Sequence, residues 1–269
     1  MSSDSLWNRA ADLILRARHI TVLTGAGIST PSGIPDFRSL KSGLWRKTNP
    51  LLVASIQVFR IRPQLFFDWV RPLVSRLLDA APNPAHLALA QLEKAGRIKS
   101  IITQNIDDLH QRAGSRNVIE VHGHIRHATC VRCYNVVPMA TILTRFVQER
   151  QVPRCTRCNG VLKPNVILFG EQLPVAQVTA ARREARVCDL MLVAGTSLRV
   201  SPVSDLPFIA RENGADVIVI DKHATSFDKY ATLVIRQDLV RALPGIVGLI
   251  CKRLAHFECS DFQGVFRKD

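Results

Sequence analysis

Four cysteines in two short pairs could bind a single metal ion. Cys130 and Cys133 form one Cys-x2-Cys pair, Cys155 and Cys158 form the other, and 21 residues separate the pairs. This spacing is typical of a tetrahedral zinc ribbon, in which tight turns supply the thiolates two by two. Four thiolates leave no position for water, so the zinc is predicted to stabilise structure while the chemistry lies elsewhere. Two separate redox-active pairs are the alternative, but neither pair opens a helix after a strand.

A glycine-rich turn is the second candidate site. The apolar run ITVLTG leads directly into Gly25–Thr30, where bare backbone N–H groups could approach a pyrophosphate. The third glycine of the usual dinucleotide fingerprint is Thr30 here, so a plain tight turn remains an alternative. Beyond the turn, the segment Asp36–Arg38 is either a lid over bound nucleotide or a solvated loop with one buried phenylalanine.

The acid that usually binds the adenosine ribose is absent from its expected place. It normally lies about 20 residues after the glycines, yet no Asp or Glu occurs from Phe37 to Phe67. Asp221 follows the apolar run VIVI, and ligands bind at the carboxyl ends of such strands. Asp221 is therefore the candidate ribose acceptor, and an ordinary strand-end turn is the alternative.

The elements that must position these residues form an alternating α/β pattern. Near-continuous apolar runs predict a Rossmann-like parallel sheet covered by helices on both faces. The predicted strands are Ile20–Gly25, Ser100–Asn105, Asp189–Gly195, Val217–Asp221 and Leu233–Arg236. The predicted helices are an N-terminal one and Pro84–Ala95, Val175–Arg186, Pro202–Asn213 and Val240–Leu254, with Gly96 and Gly214 as left-handed caps after two of them.

Two segments interrupt this alternation and are predicted to fold together as a smaller domain. Residues 39–81 form a helical module rich in large apolar side chains, in which Pro72 should kink or end a helix. Residues 126–162 form the zinc-ribbon module. The Rossmann-like domain then comprises residues 1–38, 82–125 and 163–256, and residues 257–269 form a loosely attached tail.

Composition restricts the class of protein. With 47% hydrophobic residues in 269, the chain can fill a core and is not disordered. No transmembrane span or signal peptide is visible, so no membrane partner is predicted. The net charge of +14 is spread along the chain. It fits a basic enzyme that binds an anionic cofactor. Direct nucleic-acid binding is possible from the charge but is not predicted.

Three further cysteines, Cys188, Cys251 and Cys259, are scattered and make the total odd. Zinc-bound and buried free thiols therefore fit better than a disulfide framework, which predicts a reducing, cytoplasmic compartment.

Six separated motifs resemble those of the sirtuins, in the same order. They are GAGISTPSGIPDFRS (25–39), QNID (104–107), His122-Gly123, the two cysteine pairs, Phe169-Gly170-Glu171 and GTSL (195–198). The likeness spans roughly residues 8–250. Sirtuins are NAD-dependent protein-lysine deacylases. The resemblance therefore implies NAD and structural zinc as cofactors, and acyl-lysine proteins or peptides as substrates that enter a cleft between the two domains.

The resemblance also implies roles for individual residues. The catalytic set is His122 as general base with Asn105 and Asp107. The cofactor would be bound by Gly25, Ala26, Gly27, Thr30, Asp36, Phe37, Arg38, Gln104, Asn105, Ile106, Asp107, Gly195, Thr196, Ser197, Asp221 and Asp238. The peptide would be bound by Ile167, Phe169, Gly170, Glu171 and Val200, with simple core packing as the alternative for Ile167 and Phe169.

The implied reaction uses the acyl oxygen as nucleophile on C1′ of the nicotinamide ribose, and nicotinamide leaves as a neutral molecule. A histidine with an ordinary pKa near 6.5 can deprotonate the ribose hydroxyl that attacks next. The products are lysine, nicotinamide and an O-acyl-ADP-ribose. Among the histidines near the motif, His122 is preferred over His110, His124 and His127 because Gly123 gives substrate room to approach.

Two positions depart from the family pattern. Asp221 replaces a usual Asn, and Lys163 a frequent Arg. Val70 and Leu73 stand where sirtuins that remove acidic acyl groups have Tyr and Arg, so acetyl or longer hydrophobic acyl groups are predicted over succinyl. Other hypotheses are mono-ADP-ribosyl transfer to proteins, a nucleic-acid-binding zinc-ribbon protein, and an NAD-sensing scaffold without turnover.

Overall fold

The computed structural model describes residues 3–36 and 49–254. Its strands are β1 (Ile20–Thr24), β2 (Ile98–Thr103), β3 (Val118–Glu120), β4 (Gly123–Cys130), β5 (Val136–Pro138), β6 (Leu162–Val166), β7 (Leu190–Ala194), β8 (Asp216–Ile220) and β9 (Leu233–Ile235). Its α-helices are α1 (Ser3–Arg16), α2 (Ile56–Ile61), α3 (Pro63–Asp79), α4 (Pro84–Lys94), α5 (Leu109–Arg112), α6 (Ala140–Gln148), α7 (Val175–Val187), α8 (Leu206–Glu212) and α9 (Leu239–Arg253).

The main sheet has six parallel strands in the order β3-β2-β1-β7-β8-β9. Helices cover both of its faces, which is why its strands are apolar at almost every position. Successive residues of β1 show this, because Val22 packs in the cluster that contains α1, α4 and α9, whereas Leu23 packs in the cluster that contains α7 and α8. The predicted Rossmann-like class is confirmed.

The strand order reverses direction at β1, since the chain proceeds outward from β1 to β3 and later resumes at β7 on the other side. Ligands of such sheets bind in the crevice at the carboxyl ends of the strands, where the order reverses. Here the ends of β1 and β7 lie side by side, and the Gly25 N–H donates to the Ala194 carbonyl at 3.3 Å.

The remaining elements form a second, smaller assembly. Strands β5, β4 and β6 make an antiparallel sheet, and α3 packs against α6. Three phenylalanines at the centre, Phe59, Phe66 and Phe67, meet edge to face or tilted with ring centroids 5.2 to 5.7 Å apart. Such aromatic pairs add to the free energy gained from burial alone. Both predicted interruptions of the α/β alternation therefore contribute to one core.

Local details confirm or correct the predicted elements. Gly96 and Gly214 have φ of 72° and 88°, the left-handed caps that were predicted. Helix α3 continues through Pro72 to Asp79, so the proline does not end it. Proline removes a single backbone donor from the helix, and burial of the apolar face of α3 outweighs that loss. The predicted helix Pro202–Asn213 is a short 3-10 turn followed by α8. The predicted tail lies outside the described residues.

The cysteines outside the two pairs behave differently from one another. Cys188 is a buried free thiol, as predicted. Cys251 is disulfide-bonded, so the prediction of a free thiol is wrong there. Scattered positions in the sequence do not show which thiols approach each other in the fold. Among the described helices, none is long and apolar enough to cross a bilayer.

Candidate active site

A cleft of about 910 Å³ opens where the carboxyl ends of β1, β2, β7 and β8 face the smaller assembly. Most of the predicted site residues line it. These are Gly25, Ala26, Gly27, Thr30, Asp36, Gln104, Asn105, Ile106, His122, Ile167, Phe169, Gly170, Glu171, Gly195, Thr196, Ser197, Val200, Asp221 and Asp238. Asp107 is buried behind the cleft wall, and Phe37 and Arg38 lie outside the described residues.

The glycine turn is packed directly against the loop after β7. The Gly27 N–H donates to the Gly195 carbonyl at 2.8 Å, and a Cβ on Gly27 would stand only 2.8 Å from the Gly195 Cα. A Cβ on Gly25 would stand 2.7 Å from the Thr196 Cβ. Two glycines are therefore required by the contact between two loops, in addition to any need of a bound phosphate. Thr30 donates its hydroxyl to the Gly27 carbonyl at 3.1 Å.

A chain of hydrogen bonds joins the glycine turn to the loop after β2. Asn105 Nδ2 donates to the Gly25 carbonyl at 3.1 Å and to Ser29 Oγ at 3.0 Å, and the Ser29 hydroxyl donates to Asp107 Oδ2 at 2.6 Å. Ser29 is buried and was not singled out from the sequence. Only its place in the first motif could have indicated it.

Asp107 stabilises this network from inside the protein. Burial raises its pKa, while hydrogen bonds from the Ser29 hydroxyl and the Leu109 N–H act in the opposite direction. Its carboxylate accepts hydrogen bonds from the Ser29 hydroxyl and the Leu109 N–H, so it fixes the loop after β2 against the glycine turn. Asp107 thus lies one layer behind the cleft wall, and its contact with the cofactor stays a prediction.

His122 is oriented by the backbone of the same loop. Its Nδ1 lies 3.1 Å from the Gln104 carbonyl oxygen. A carbonyl only accepts hydrogen bonds, so Nδ1 carries the proton and Nε2 is the basic nitrogen of the neutral ring. The Ile167 N–H donates to the His122 carbonyl at 3.0 Å, which ties the histidine to the predicted peptide-binding segment. Gly123 follows with φ 78°, a conformation that favours glycine.

Two other histidines near the motif are sequestered from the cleft. His110 and His86 are buried with ring centroids 5.0 Å apart. Burial lowers the pKa of His86 to about 4, and burial together with His86 lowers that of His110 to about 3. Both rings are neutral at physiological pH, and His110 is committed to Thr24 Oγ1 at 3.0 Å. Neither histidine lines the cleft.

Two carboxylates stand at the far end of the cleft, after β8 and before α9. Asp221 is mostly buried, and burial raises its pKa against the opposing effects of His223, Arg236 and Lys222. Asp238 caps α9 by accepting from the Val240 N–H at 3.1 Å and pairs with Lys222 at 2.6 Å. Gln237 and His223 also line this end, and sequence reasoning gave them no role.

The side of the cleft formed by the smaller assembly is apolar. Four side chains of α3 line it, and they face apolar residues from the loop after β2 and the segment after β6. The α3 set is Phe66, Trp69, Val70 and Leu73, and the facing set is Ile106, Val166, Ile167, Leu168 and Phe169. Val70 and Leu73 thus both line the apolar side of the cleft. Phe66 and Trp69 were noted only as large apolar residues.

The segment after β6 is closed into a loop by one ion pair. Lys163 Nζ lies 2.9 Å from Glu171 Oε2 and donates to the Val166 carbonyl at 2.7 Å and the Pro164 carbonyl at 3.3 Å. Glu171 Oε2 also accepts from the Leu168 N–H at 2.7 Å. The ammonium group has three protons, and all three are used. Glu171 thus shapes the loop from within.

The four paired cysteines converge on one point. Their sulfur atoms lie within 4.8 Å of one another, with Cys130 and Cys158 at 3.4 Å and Cys133 and Cys155 at 3.7 Å. Sulfurs bound tetrahedrally at about 2.3 Å from zinc are separated by similar distances. A Cβ on Gly160 would stand 2.7 Å from the Cys130 sulfur, so glycine keeps this space open. The donor set and its geometry fit a structural zinc ion.

Comparisons with known proteins agree with this geometry. The sequence pattern of the Sir2 family matches residues 25–202. The NAD-dependent protein deacetylase of Sulfolobus acidocaldarius is 45% identical over 90% of this chain and 94% of its own, and the NAD-dependent protein deacylase 2 of Archaeoglobus fulgidus is 42% identical over 89% and 94%. A solved Sir2 enzyme, 41% identical, superposes with a TM-score of 0.87 over 93% of this chain and 99% of its own. A second, bound to a myristoylated histone peptide, is 36% identical with a TM-score of 0.79 over 94% and 98%.

Proposed function

We propose that His122 is the general base and that the cleft removes acetyl or longer hydrophobic acyl groups from lysine. The premise is that the chain belongs to the Sir2 family and is an NAD-dependent protein deacylase. The observation that carries this proposal is the convergence of His122, the glycine turn and an apolar wall on one cleft. The expected products are lysine, nicotinamide and an O-acyl-ADP-ribose.

Bound NAD supplies a ribose carbon from which nicotinamide can leave. The residues of this chain bind the cofactor and orient its ribose. Gly25–Thr30 would bind phosphate through backbone N–H groups, and Asp221 and Asp238 would accept from the adenosine ribose. Asn105 holds the turn in place through Gly25 and Ser29. With its Nδ1 proton directed at Gln104, His122 offers Nε2 to a ribose hydroxyl.

Acyl preference follows from the polarity of the wall. The positions that would hold a carboxylate-binding pair are Val70 and Leu73, and both line the apolar side of the cleft. An acidic acyl group buried beside these two apolar side chains would lose its hydration without gaining a cation from either of them, which is costly. An acyl chain of methylenes would instead gain from burial. A Sir2 relative bound to a myristoylated peptide supports this preference.

We further propose the division into a Rossmann-like domain of residues 1–38, 82–125 and 163–256 and a smaller domain of residues 39–81 and 126–162. In this division zinc braces the smaller domain through Cys130, Cys133, Cys155 and Cys158. A cytoplasmic location also remains a proposal, and the disulfide-bonded Cys251 argues against its original basis in free thiols.

The decisive experiment measures nicotinamide release from NAD with an acetyl-lysine, a long-chain acyl-lysine or a succinyl-lysine peptide, and with none. Release should require an acylated peptide, and kcat/KM should be lowest for succinyl. His122→Asn should abolish acyl transfer and preserve the thermal transition. Mass spectrometry should find O-acyl-ADP-ribose; ADP-ribosylated protein would instead establish the transferase alternative. NAD binding with no nicotinamide release would establish a sensing scaffold.

A further inference from the structure

The outer end of the zinc ribbon is a basic surface remote from the cleft. Residues 126–162 contain six arginines, no lysine and one acidic residue, a net charge of +5 within a chain of +14. About a third of the net charge of the chain thus lies in this one small module. Of the described part of the chain, no residue of this module lines the cleft.

Three of these arginines gather around the two cysteine turns. Arg132 in the first turn donates to the Cys158 carbonyl at 3.2 Å, and Arg157 in the second turn donates to Asn135 Oδ1 at 3.3 Å, so each turn is tied to the other. Arg154 donates to the Asn159 carbonyl at 3.3 Å. All three side chains are exposed, and none forms an ion pair within the described ranges.

Each guanidinium group carries five N–H donors, and one hydrogen bond to a described residue is present for each. Most donors therefore face solvent. The fixed fork of a guanidinium group matches two oxygens of a phosphate, which makes arginine better suited than lysine to bind phosphate groups in a defined orientation. The arginines also partly offset the negative charge of thiolates around zinc. This long-range effect leaves the solvent-facing N–H groups of the guanidinium ions available.

One aromatic residue stands among them in a costly conformation. Tyr134 has φ 58° and is 77% exposed. A bulky residue in the left-handed region costs on the order of 1 kcal/mol, and exposure of its ring gains nothing. Its backbone N–H closes the turn on the Cys130 carbonyl at 3.0 Å, which glycine or asparagine would do at lower cost. Exposed Val131 and Val136 flank it.

We propose that this surface, formed by Arg132, Tyr134, Arg154 and Arg157 and here called the ribbon tip, binds single-stranded nucleic acid. The arginines contact phosphates, and the Tyr134 ring stacks on an unpaired base. Basic groups beside an exposed ring are the combination that binds single strands, because bases within a duplex cannot reach a ring. An acidic peptide would contact the arginines but would not need the exposed Tyr134 ring or the costly backbone conformation that presents it.

The ribbon tip and the active site can be occupied together. Strand β4 begins at Gly123, next to His122, and ends at Cys130 in the first cysteine turn. At about 3.3 Å per residue, its length places the tip roughly 20 Å from the catalytic histidine. A bound strand would therefore hold the enzyme near proteins on the same nucleic acid without blocking the cleft.

The test is fluorescence anisotropy of a labelled 20-nucleotide mixed-sequence DNA strand, with zinc-loaded full-length protein in 50 to 200 mM KCl. Three phosphate contacts should give a slope of log K against log salt of about −2, so the affinity falls about 20-fold over this range. Arg132→Gln, Arg154→Gln and Arg157→Gln together should abolish binding, and each alone should reduce the slope by about 0.7. The matched control carries the same substitutions at exposed Arg116, Arg182 and Arg186, which should bind like the wild type.

Tyr134→Asn separates stacking from charge without risk to the fold, because asparagine tolerates the left-handed conformation. It should weaken single-strand binding at least about fivefold with an unchanged salt slope, and leave duplex binding unchanged. Zinc content and nicotinamide release should be unaltered in Tyr134→Asn, so its outcome does not depend on the proposed catalytic roles, and zinc content is measured in each arginine variant to show that the cysteine turns remain intact.

Several results would overturn the proposal. These are no binding at 50 mM salt, equal losses in the tip and control triple variants, or full affinity of Tyr134→Asn for the single strand. Competition by polyglutamate as effective as that by the unlabelled strand would show that the tip recognises acidic protein instead.

Discussion

Replacement of Lys163 by methionine should remove the anchor of the loop after β6, which is the proposed peptide-binding segment. The Lys163 ammonium group is half of an ion pair with Glu171 whose side chains are 14% and 22% exposed, and it also donates to the carbonyls of Pro164 and Val166. Methionine keeps the unbranched apolar stem of the side chain, is one heavy atom shorter, and removes the ammonium group with its charge and three donors. The backbone that walls the acyl pocket would then lose its internal support.

The magnitude follows from these contacts. Removal of one partner of a buried ion pair costs about 3–5 kcal/mol, and the partial exposure of this pair places the cost near the lower value of about 3 kcal/mol. If the loop must be ordered again when peptide binds, the KM for the acyl peptide should rise by up to about 150-fold, since about 1.4 kcal/mol is a factor of ten. The KM for NAD should change little, because the bonds of the Lys163 ammonium group go to β6 and the segment after it, and within the described ranges none goes to the glycine turn.

The assay is nicotinamide release with peptide and NAD varied separately, and two variants serve as controls. Lys163→Arg keeps the charge and should retain peptide KM within about tenfold of the wild type, because guanidinium can make the same bonds. Lys99→Met removes an exposed lysine that donates only to the Gly96 carbonyl, at 2.9 Å, and should have no effect. A Lys163→Met enzyme with wild-type peptide KM would refute the reasoning.

Three further outcomes are expected. Gly123→Ala should abolish activity and cost at least about 2 kcal/mol of stability, because φ is 78° and a Cβ would collide with the Asn165 carbonyl oxygen; a stable, active variant in thermal denaturation and turnover assays would contradict this. Burial raises the pKa of Asp221, so the KM for NAD should increase as pH falls and the carboxylate is protonated, and Asp221→Asn should remove that dependence. His86 and His110, with pKa values of about 4 and 3, bind protons only when unfolded as pH falls below about 6.5. Each should cost about 2.5 kcal/mol of stability between pH 7.5 and 4.5, and thermal scans of His110→Gln should show a correspondingly smaller loss.

The sheet could be read from the sequence because burial on both faces leaves a strong local pattern. Runs such as that of β7 are apolar at every position, and only a strand between two helical layers requires this. The end of α3 was harder to place. Pro72 is a local signal against helix, and the packing of Phe66, Phe67 and Leu73 is a tertiary effect that the local signal does not contain.

The site was predicted where residue types are chemically rare, and missed where they are ordinary. Cysteine pairs and a histidine before glycine stand out in any sequence. Ser29 does not, and its importance comes from accepting from Asn105 and donating to Asp107, two residues more than 70 positions away. The motif shows that position 107 carries a carboxylate, but only the fold shows that this carboxylate is buried behind the cleft wall. A sequence shows which groups can ionise but not which layer of the fold they occupy.

The proposed general base adjoins one end of strand β4 and the cysteine cluster lies at its other end, which would link turnover to the supply of zinc. Strand β4 starts beside His122 and finishes with Cys130, one of the four cysteines predicted to bind zinc, so a bound ion would brace its far end in addition to the pairing with β5 and β6. Without zinc this brace is lost, and the position of His122 at the start of the strand is less well defined. In a zinc-deprived cell, deacylation should therefore slow even with abundant NAD. Dialysis against a chelator should reproduce that state in a test tube, and added zinc should reverse it.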